Sequence, residues 1–379
     1  MDNKTFMQKA LSLAAKGKNR TSPNPMVGAV IVKGDKIIAA DYHRKAGTPH
    51  AEILALKKAG SKARGAALYI NLEPCCHTEK KTPPCTKSII RSGIQKVVTA
   101  MLDPNPKVSG RGIKELQAAG IKTDVGIMKS KAEKLNEAFI KFITKKEPFV
   151  ILKIAQSIDG KIATAKGESR WITGKEAREY VHKLRNEVDA VLVGIGTVRK
   201  DNPSLACRIK GGRNPYRIIV DSNLCISLNA KVLKHNDNKT IIAATPPPPP
   251  FGKGGRGGIL KVGWRDYKKK INLLKSKGVN ILFVKAKAGK IDLKELMKKL
   301  GKLDITSVMI EGGSSINASA LSGRVVDKIM VFVAPKIIGG VDSVPSVGGK
   351  SPAFLKNAVR IKDLQVKKIG EDFLFEGYI

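Results

Sequence analysis

The strongest constraint on how this chain folds is a set of side chains that must meet at one point. Pro49-His50-Ala51-Glu52, Pro74-Cys75-Cys76-His77 and Pro83-Pro84-Cys85 lie in separate stretches. Together they supply one imidazole, two thiols and a spare carboxylate. That is the donor set of a catalytic zinc site: His50, Cys75 and Cys85 as ligands, a fourth position for water, and Glu52 beside it as general base. Thr48 with Pro49, and Thr82 with Pro83, read as the cap and first residue of two helices, stopped at Gly60 and Gly93. Two helix starts are therefore expected to face one ion, with His50 in one first turn and Cys85 in the other. The helix dipole and free amides there favour the Cys85 thiolate. His50 and Glu52, two apart on a regular helix, would converge only if the metal lies over the helix end. A structural zinc is the competing reading, with Cys76 or His77 as fourth ligand, but such a site has no use for Glu52.

There are five cysteines, three of them between Cys75 and Cys85, and no leader-like apolar run at the N-terminus. This pattern points to metal binding in a reducing compartment rather than to disulfides. No stretch of about eighteen apolar residues occurs, so no membrane span is expected and the cytoplasm is the expected location. The formal net charge is +38. Phosphates are attracted to such a surface. The lysines are scattered rather than clustered, however, and aromatics are too few for a stacking platform, so a solvated basic surface with no nucleic-acid partner is expected.

Residues 1–145 alternate strand and helix. Helices are expected at 5–16, at 113–119 and over about 130–143, a hairpin at 27–32 and 36–40 turning at Gly34-Asp35, and strands at 67–72 and 97–101. Strands separated by helices predict an α/β unit with a mostly parallel sheet covered on both faces. Lys145-Lys146-Glu147 followed by Pro148 marks a boundary, and a second α/β unit is assigned to 148–379. Its strands are expected at 149–155, 188–193, 216–221, 239–244, 280–284, 306–310, 327–333 and, as a last edge strand, 371–378. Its helices are expected at 174–186 and 291–300. The proline run 246–250 and the glycine-rich residues after it, within about 246–268, read as a low-complexity insertion in a surface loop.

The second unit has no Gly-x-Gly-x-x-Gly fingerprint, which argues against a Rossmann domain. Gly312-Gly313-Ser314-Ser315, between an expected strand and a helix, is a candidate phosphate cradle. A plain strand-to-helix turn is the alternative. Lys153, inside an expected strand, is either a proton-handling group or a surface lysine.

Read together, the motifs resemble the bifunctional deaminase–reductase family of riboflavin biosynthesis. The resemblance rests on Asn24-Pro25-Met26-Val27-Gly28, His50-Ala51-Glu52, Leu72-Glu73-Pro74-Cys75, Thr82-Pro83-Pro84-Cys85 and Asp103-Pro104-Asn105-Pro106 in the first unit. In the second it rests on Lys153, Ser157-Ile158-Asp159-Gly160-Lys161, Gly167-Glu168-Ser169-Arg170-Trp171-Ile172-Thr173, Gly196-Thr197-Val198, Asp201-Asn202-Pro203 and Glu311-Gly312-Gly313. It implies a cytidine-deaminase-like domain over 1–145 and a dihydrofolate-reductase-like α/β domain over 148–379. It also implies a zinc-dependent deamination of a phosphorylated diaminopyrimidine, then an NADPH-dependent reduction of its ribosyl chain to ribityl. By the same resemblance His50, Cys75 and Cys85 hold zinc, Glu52 shuttles the proton, and Asn24 and His77 line the pyrimidine pocket. Ala155, Trp171, Thr197, Asp201, Ser222, Gly313 and Ser314 would meet NADPH. Ser169, Arg185, Leu205, Arg208 and Glu311 would meet the substrate, with Lys153 catalytic at the sugar. Arg185 and Arg208 suit a 5′-phosphate, although Arg185 could equally be a salt-bridging helix residue.

The chain departs from the family pattern at one place. The Cys75–Cys85 loop is a residue longer, and Cys76 stands where serine is expected, which leaves open how His77 is placed and whether Cys76 competes for the metal. The competing function is a tRNA or single-stranded DNA deaminase with an accessory binding domain. Such enzymes use a short Pro-Cys-x-x-Cys spacing, whereas nine residues separate Cys75 from Cys85 here. Self-association is expected only as a common habit of phosphate-binding metabolic enzymes.

Overall fold

A computed structural model describes residues 2–77, 83–235, 237–246, 264–287 and 289–379. The expected Thr82 cap and most of the 246–268 insertion lie outside the described residues. The chain divides into two compact units, Met1–Lys146 and Glu147–Ile379.

The first unit runs α1 (Asn3–Ala14), β1 (Gly28–Lys33), β2 (Lys36–Tyr42), α2 (Ala51–Ala59), β3 (Ala67–Ile70), α3 (Cys85–Arg91), β4 (Lys96–Thr99), α4 (Arg111–Ala118), β5 (Lys122–Val125), α5 (Lys129–Leu135) and α6 (Glu137–Lys145). Its sheet has the order β2-β1-β3-β4-β5. β1 is antiparallel to both β2 and β3, and only β3, β4 and β5 are parallel. The expected mostly parallel sheet is therefore a mixed one, because the tight turn at Gly34 (φ 59°) folds β2 straight back beside β1. β5 carries no apolar alternation and is mostly exposed, which is why its sequence gives no strand signal. Met7, Ile31, Leu68, Ile89 and Leu116 are fully buried in one core between sheet and helices. Each such side chain contributes roughly 1.5–3 kcal/mol relative to exposure.

The expected helix over 130–143 is broken at Asn136 (φ −107°, ψ 21°). The Asn136 side chain accepts from the Met26 amide (2.8 Å) and donates to the Met26 carbonyl (3.0 Å). The helix gives up its regularity there to fix the Asn24-Pro25-Met26 segment.

The second unit runs β6 (Phe149–Ser157), β7 (Lys161–Ala163), α7 (Lys175–Glu187), β8 (Ala190–Gly194), α8 (Ile195–Asp201), β9 (Tyr216–Val220), β10 (Thr240–Ala244), α9 (Trp264–Ser276), β11 (Val279–Phe283), β12 (Ala286–Lys287), β13 (Lys290–Ile291), α10 (Leu293–Gly301), β14 (Ser307–Ile310), α11 (Ser314–Ser322), β15 (Lys328–Ala334), β16 (Val344–Pro345), β17 (Lys362–Ile369) and β18 (Asp372–Tyr378). The main sheet has the order β11-β10-β9-β8-β14-β6-β15-β18-β17. It is parallel except for β18, which runs antiparallel to both its neighbours, β15 and β17. Alternation along the strands feeds two cores, with Val191, Val193, Ile219 and Ile242 on one face and Ala190, Leu192, Ile218 and Ile241 on the other. The expected edge strand 371–378 is instead covered by β17, whose lysine-rich, exposed sequence hides it from an apolar-pattern reading.

Candidate active sites

In the first unit His50 is the N-cap of α2, with extended backbone (φ −71°, ψ 163°) and no side-chain cap bond. The expected start at Thr48-Pro49 is two residues early, because the Thr48 hydroxyl donates to the Lys45 carbonyl (2.7 Å) instead of capping. With His50 outside the regular helix, its divergence from Glu52 no longer applies, and both side chains reach one space. Cys85 opens α3, and the amides of Cys85 and Thr86 donate to the Cys75 carbonyl (3.0 and 3.3 Å), tying the two thiol-bearing segments together. His50 Nδ1 lies 3.2 Å from Cys85 Sγ and 3.6 Å from Cys75 Sγ. All three ligand atoms fall within 4.8 Å of one another, and Cys76 is not in the group. Burial, with Glu115 and Glu73 nearby, pushes the Cys76 thiol up and keeps it protonated.

Glu52 is buried beside the three ligands, and its Oε2 has no hydrogen-bond partner among the described residues. Burial pushes its carboxyl pKa up, opposed by the His50 charge. The soft donor set of three ligands and the unpartnered Glu52 oxygen beside it fit Zn2+. Asn24 reaches this site through His43. The Asn24 amide donates to His43 Nε2 (3.3 Å), His43 Nδ1–H donates to the Pro49 carbonyl (3.2 Å), and the His43 ring meets His50 edge-on at 5.4 Å. Burial holds the His43 pKa below its ordinary value, which keeps the ring in this neutral tautomer. His77 has a buried Nδ1 and is the last described residue before 83.

Sequence reading did not single out three supports of this site. The Glu73 carboxylate accepts from the amides of Asp103 (3.0 Å), Gly110 (2.9 Å), Gly112 (2.9 Å) and Ile113 (3.2 Å), two residues from Cys75. A Cβ at Gly112 would come within 2.2 Å of the Pro74 carbonyl, so glycine alone permits that approach. Asn71 and Asn136 both bond to the Met26 backbone. An acid before Pro-Cys and an asparagine inside a helix pattern were the available signals.

In the second unit a cleft of about 860 Å³ is lined by Lys153, Ala155, Ser169, Trp171, Arg185, Thr197, Asp201, Leu205, Arg208, Glu311, Gly313 and Ser314, among others. Ser222 is not among the lining residues. It follows β9 at the same carboxyl edge of the sheet, where its carbonyl accepts from Thr245 (2.7 and 3.0 Å). Glu311 anchors the polar end. Arg185 Nε and Nη2 donate to its two oxygens (2.6 and 2.9 Å), and Lys153 Nζ lies 3.7 Å from Oε2. Burial would raise the Glu311 pKa, but Arg185 and then Lys153 outweigh it and hold the carboxyl down at about 2. Burial lowers the Lys153 pKa against the pull of Glu311. Arg208 makes no hydrogen bond or ion pair among the described residues.

Directly after Glu311 the chain passes from β14 into α11 through Gly312 and Gly313. Gly313 is the N-cap, and no side chain caps the helix. A Cβ at Gly312 would lie 1.5 Å from Ile316 Cγ2, and one at Gly313 would lie 3.6 Å from Thr197 Oγ1. α8 also starts on a glycine, Gly194, with no side-chain cap. Uncapped amides at two helix starts with bare backbone between them fit the phosphates of NADPH.

Residues 1–101 match the model of the cytidine and deoxycytidylate deaminase zinc-binding region, and residues 148–375 match that of the RibD C-terminal domain. The riboflavin biosynthesis protein RibD of Aquifex aeolicus is 44% identical over 98% of this chain and 97% of its own length. That of Escherichia coli is 35% identical over 98% of both. The structure of Acinetobacter baumannii RibD superposes with a TM-score of 0.86 at 34% identity, covering 99% of this chain and 98% of that one. A Thermotoga maritima diaminohydroxyphosphoribosylaminopyrimidine deaminase/5-amino-6-(5-phosphoribosylamino)uracil reductase gives 0.83 at 37% identity, with the same coverage. With both halves matched in order across nearly its whole length, the chain belongs to the RibD family of riboflavin biosynthesis proteins, which join a deaminase and a reductase in one polypeptide.

Proposed function

We propose that the 1–145 domain deaminates 2,5-diamino-6-ribosylamino-4(3H)-pyrimidinone 5′-phosphate and that the 148–379 domain reduces the ribosyl chain of the product to ribityl. The observation that carries this reading is the His50–Cys75–Cys85 group with an unpartnered, buried Glu52 oxygen beside it. His50, Cys75 and Cys85 would hold the zinc, which when bound would make water acidic enough to react near neutral pH. Glu52 takes a proton from water and returns it to the departing nitrogen, a task suited to a carboxyl whose pKa burial has raised. Asn24, fixed by His43, orients the pyrimidine, and His77 closes the pocket.

NADPH supplies the hydride in the second reaction. Lys153 handles a proton at the sugar, and Glu311 keeps the lysine in place. Arg185 has both arms of its fork on Glu311, which leaves Arg208 to meet the 5′-phosphate. Thr197, Gly313 and Ser314 hold the cofactor phosphates, and Trp171, Ala155 and Asp201 orient it while excluding water. The thiols that grip zinc must stay reduced, which suits a cytoplasmic setting.

Self-association through β17 is part of the same proposal. This strand is exposed along nearly its whole length at the sheet edge, with Leu364 and Val366 exposed within it and Phe354 and Leu355 exposed just before it. An open edge with exposed apolar side chains among its lysines is a surface on which a second copy can pair.

A coupled assay with the diaminopyrimidine nucleotide, following ammonia and NADPH together, tests the reading. Glu52→Ala is expected to stop ammonia release by about a thousandfold while sparing NADPH oxidation with the deaminated intermediate. Lys153→Ala should show the reverse. Loss of both activities in either folded variant would break the two-site assignment.

A further inference from the structure

His182 is a cleft residue that neither reaction, as described, uses. It sits on the face of α7 that also presents Arg178, Val181 and Arg185 to the cleft, spaced three or four residues apart. Its Nδ1 is buried with no hydrogen-bond partner among the described residues. The other ring nitrogen, Nε2, is not sealed off, and His182 is among the residues that line the cleft.

We propose that His182 is a substrate contact that donates its Nε2–H to the 5′-phosphate beside Arg208. The protonation state follows from the surroundings. Charging the ring would place a second N–H at Nδ1, in a buried position with nothing to accept it. Burial, then Arg185 on the same helix and Arg208 on the loop between α8 and β9, oppose the charge. Glu311 favours it but is held by Arg185, and Lys153 adds further repulsion. A neutral ring with its proton on the open side leaves only a lone pair buried. Several other donors lining the cleft are already engaged. Arg178 stacks over Trp171 at 4.4 Å and donates to the Thr173 carbonyl, the Arg185 fork holds Glu311, and Ser169 points at Asp201 (3.4 Å). A phosphate drawn to Arg208 has several oxygens to satisfy, and a neutral N–H next to that guanidinium supplies a directed donor without adding like charge to a cationic wall.

This inference rests on the cleft being the reductase site, and the test separates the two. Steady-state reduction of the deaminated nucleotide is measured for the full-length zinc-loaded protein and for His182→Ala, His182→Gln, Arg208→Ala and Lys153→Ala, with inorganic phosphate as a competitive inhibitor. His182→Ala should raise KM about tenfold or more, the size of one lost hydrogen bond to a charged acceptor, with kcat nearly unchanged and phosphate inhibition weakened by a similar factor. His182→Gln carries an amide donor near the Nε2 position and should recover most of both. Unchanged KM and phosphate inhibition in His182→Ala, an equal deficit in both His182 variants, or a loss confined to kcat would overturn the proposal. Full reductase activity in both Arg208→Ala and Lys153→Ala would instead remove the reductase site from this cleft.

Discussion

At Glu311 one carboxylate is held by an arginine and a lysine, and the balance of burial against pairing decides its protonation. The carboxyl pKa is depressed from 4.5 to about 2 in the fold. The stability it contributes is therefore complete above about pH 4.5 and is lost as pH falls through that interval towards 2. Glu311→Gln leaves the Arg185 guanidinium without its anion. The stability gap between wild type and this variant, read from urea midpoints at a series of pH values, should be widest near neutrality and narrow below pH 4.5. A gap that stays constant to pH 3 would mean that Arg185 does not hold the charged carboxylate. At this scale the grouping of His50, Cys75 and Cys85 with Glu52 was legible in the sequence, because imidazole, thiol and carboxylate in that combination have few other uses. His43, Glu73 and Asn136 were not. Each acts on backbone or side-chain atoms far away in sequence, and no local pattern records such a partner.

Among the elements, the helix starts matter most. The prolines and glycines correctly marked α2 and α3 as present, but not which residue caps α2. A histidine whose ring faces two thiols instead of capping the helix breaks the usual cap chemistry, so the sequence rule put the start too early. Asn136 is a similar case, since its bonds to Met26 override helix periodicity. The loop that carries Cys75 is tied to the turn before α4 by the four amide bonds to Glu73. Truncation by Glu73→Ala strands those amides in a buried place and should cost about 3 kcal/mol. Thermal unfolding should show the loss, and chelator competition should show weaker zinc retention. Retained zinc affinity together with lost stability would separate the latch from the metal site. In the second unit the strand runs were visible because buried parallel strands are continuously apolar, whereas β17 was missed because its solvent-facing sequence is not.

For the whole molecule, the net charge of +38 was the most ambiguous sequence feature. The order of motifs across both units settles it in favour of a metabolic enzyme, since relatives matching nearly the full length are riboflavin biosynthesis proteins. No helix among the described residues is long and apolar enough to cross a membrane. The exposed β17 edge makes a prediction about assembly. Light scattering on purified protein should give a dimer mass, and Val366→Lys with Leu364→Lys should shift it to monomer while zinc content is kept. A monomer in the unaltered protein would show that the edge stays unpaired. The decisive measurement is zinc K-edge absorption together with elemental analysis of the unaltered protein. About one zinc per chain is expected, bound by one nitrogen and two sulfur donors from the protein and one light atom from solvent. A coordination sphere closed by four protein side chains, or protein that is folded and active without metal, would contradict this.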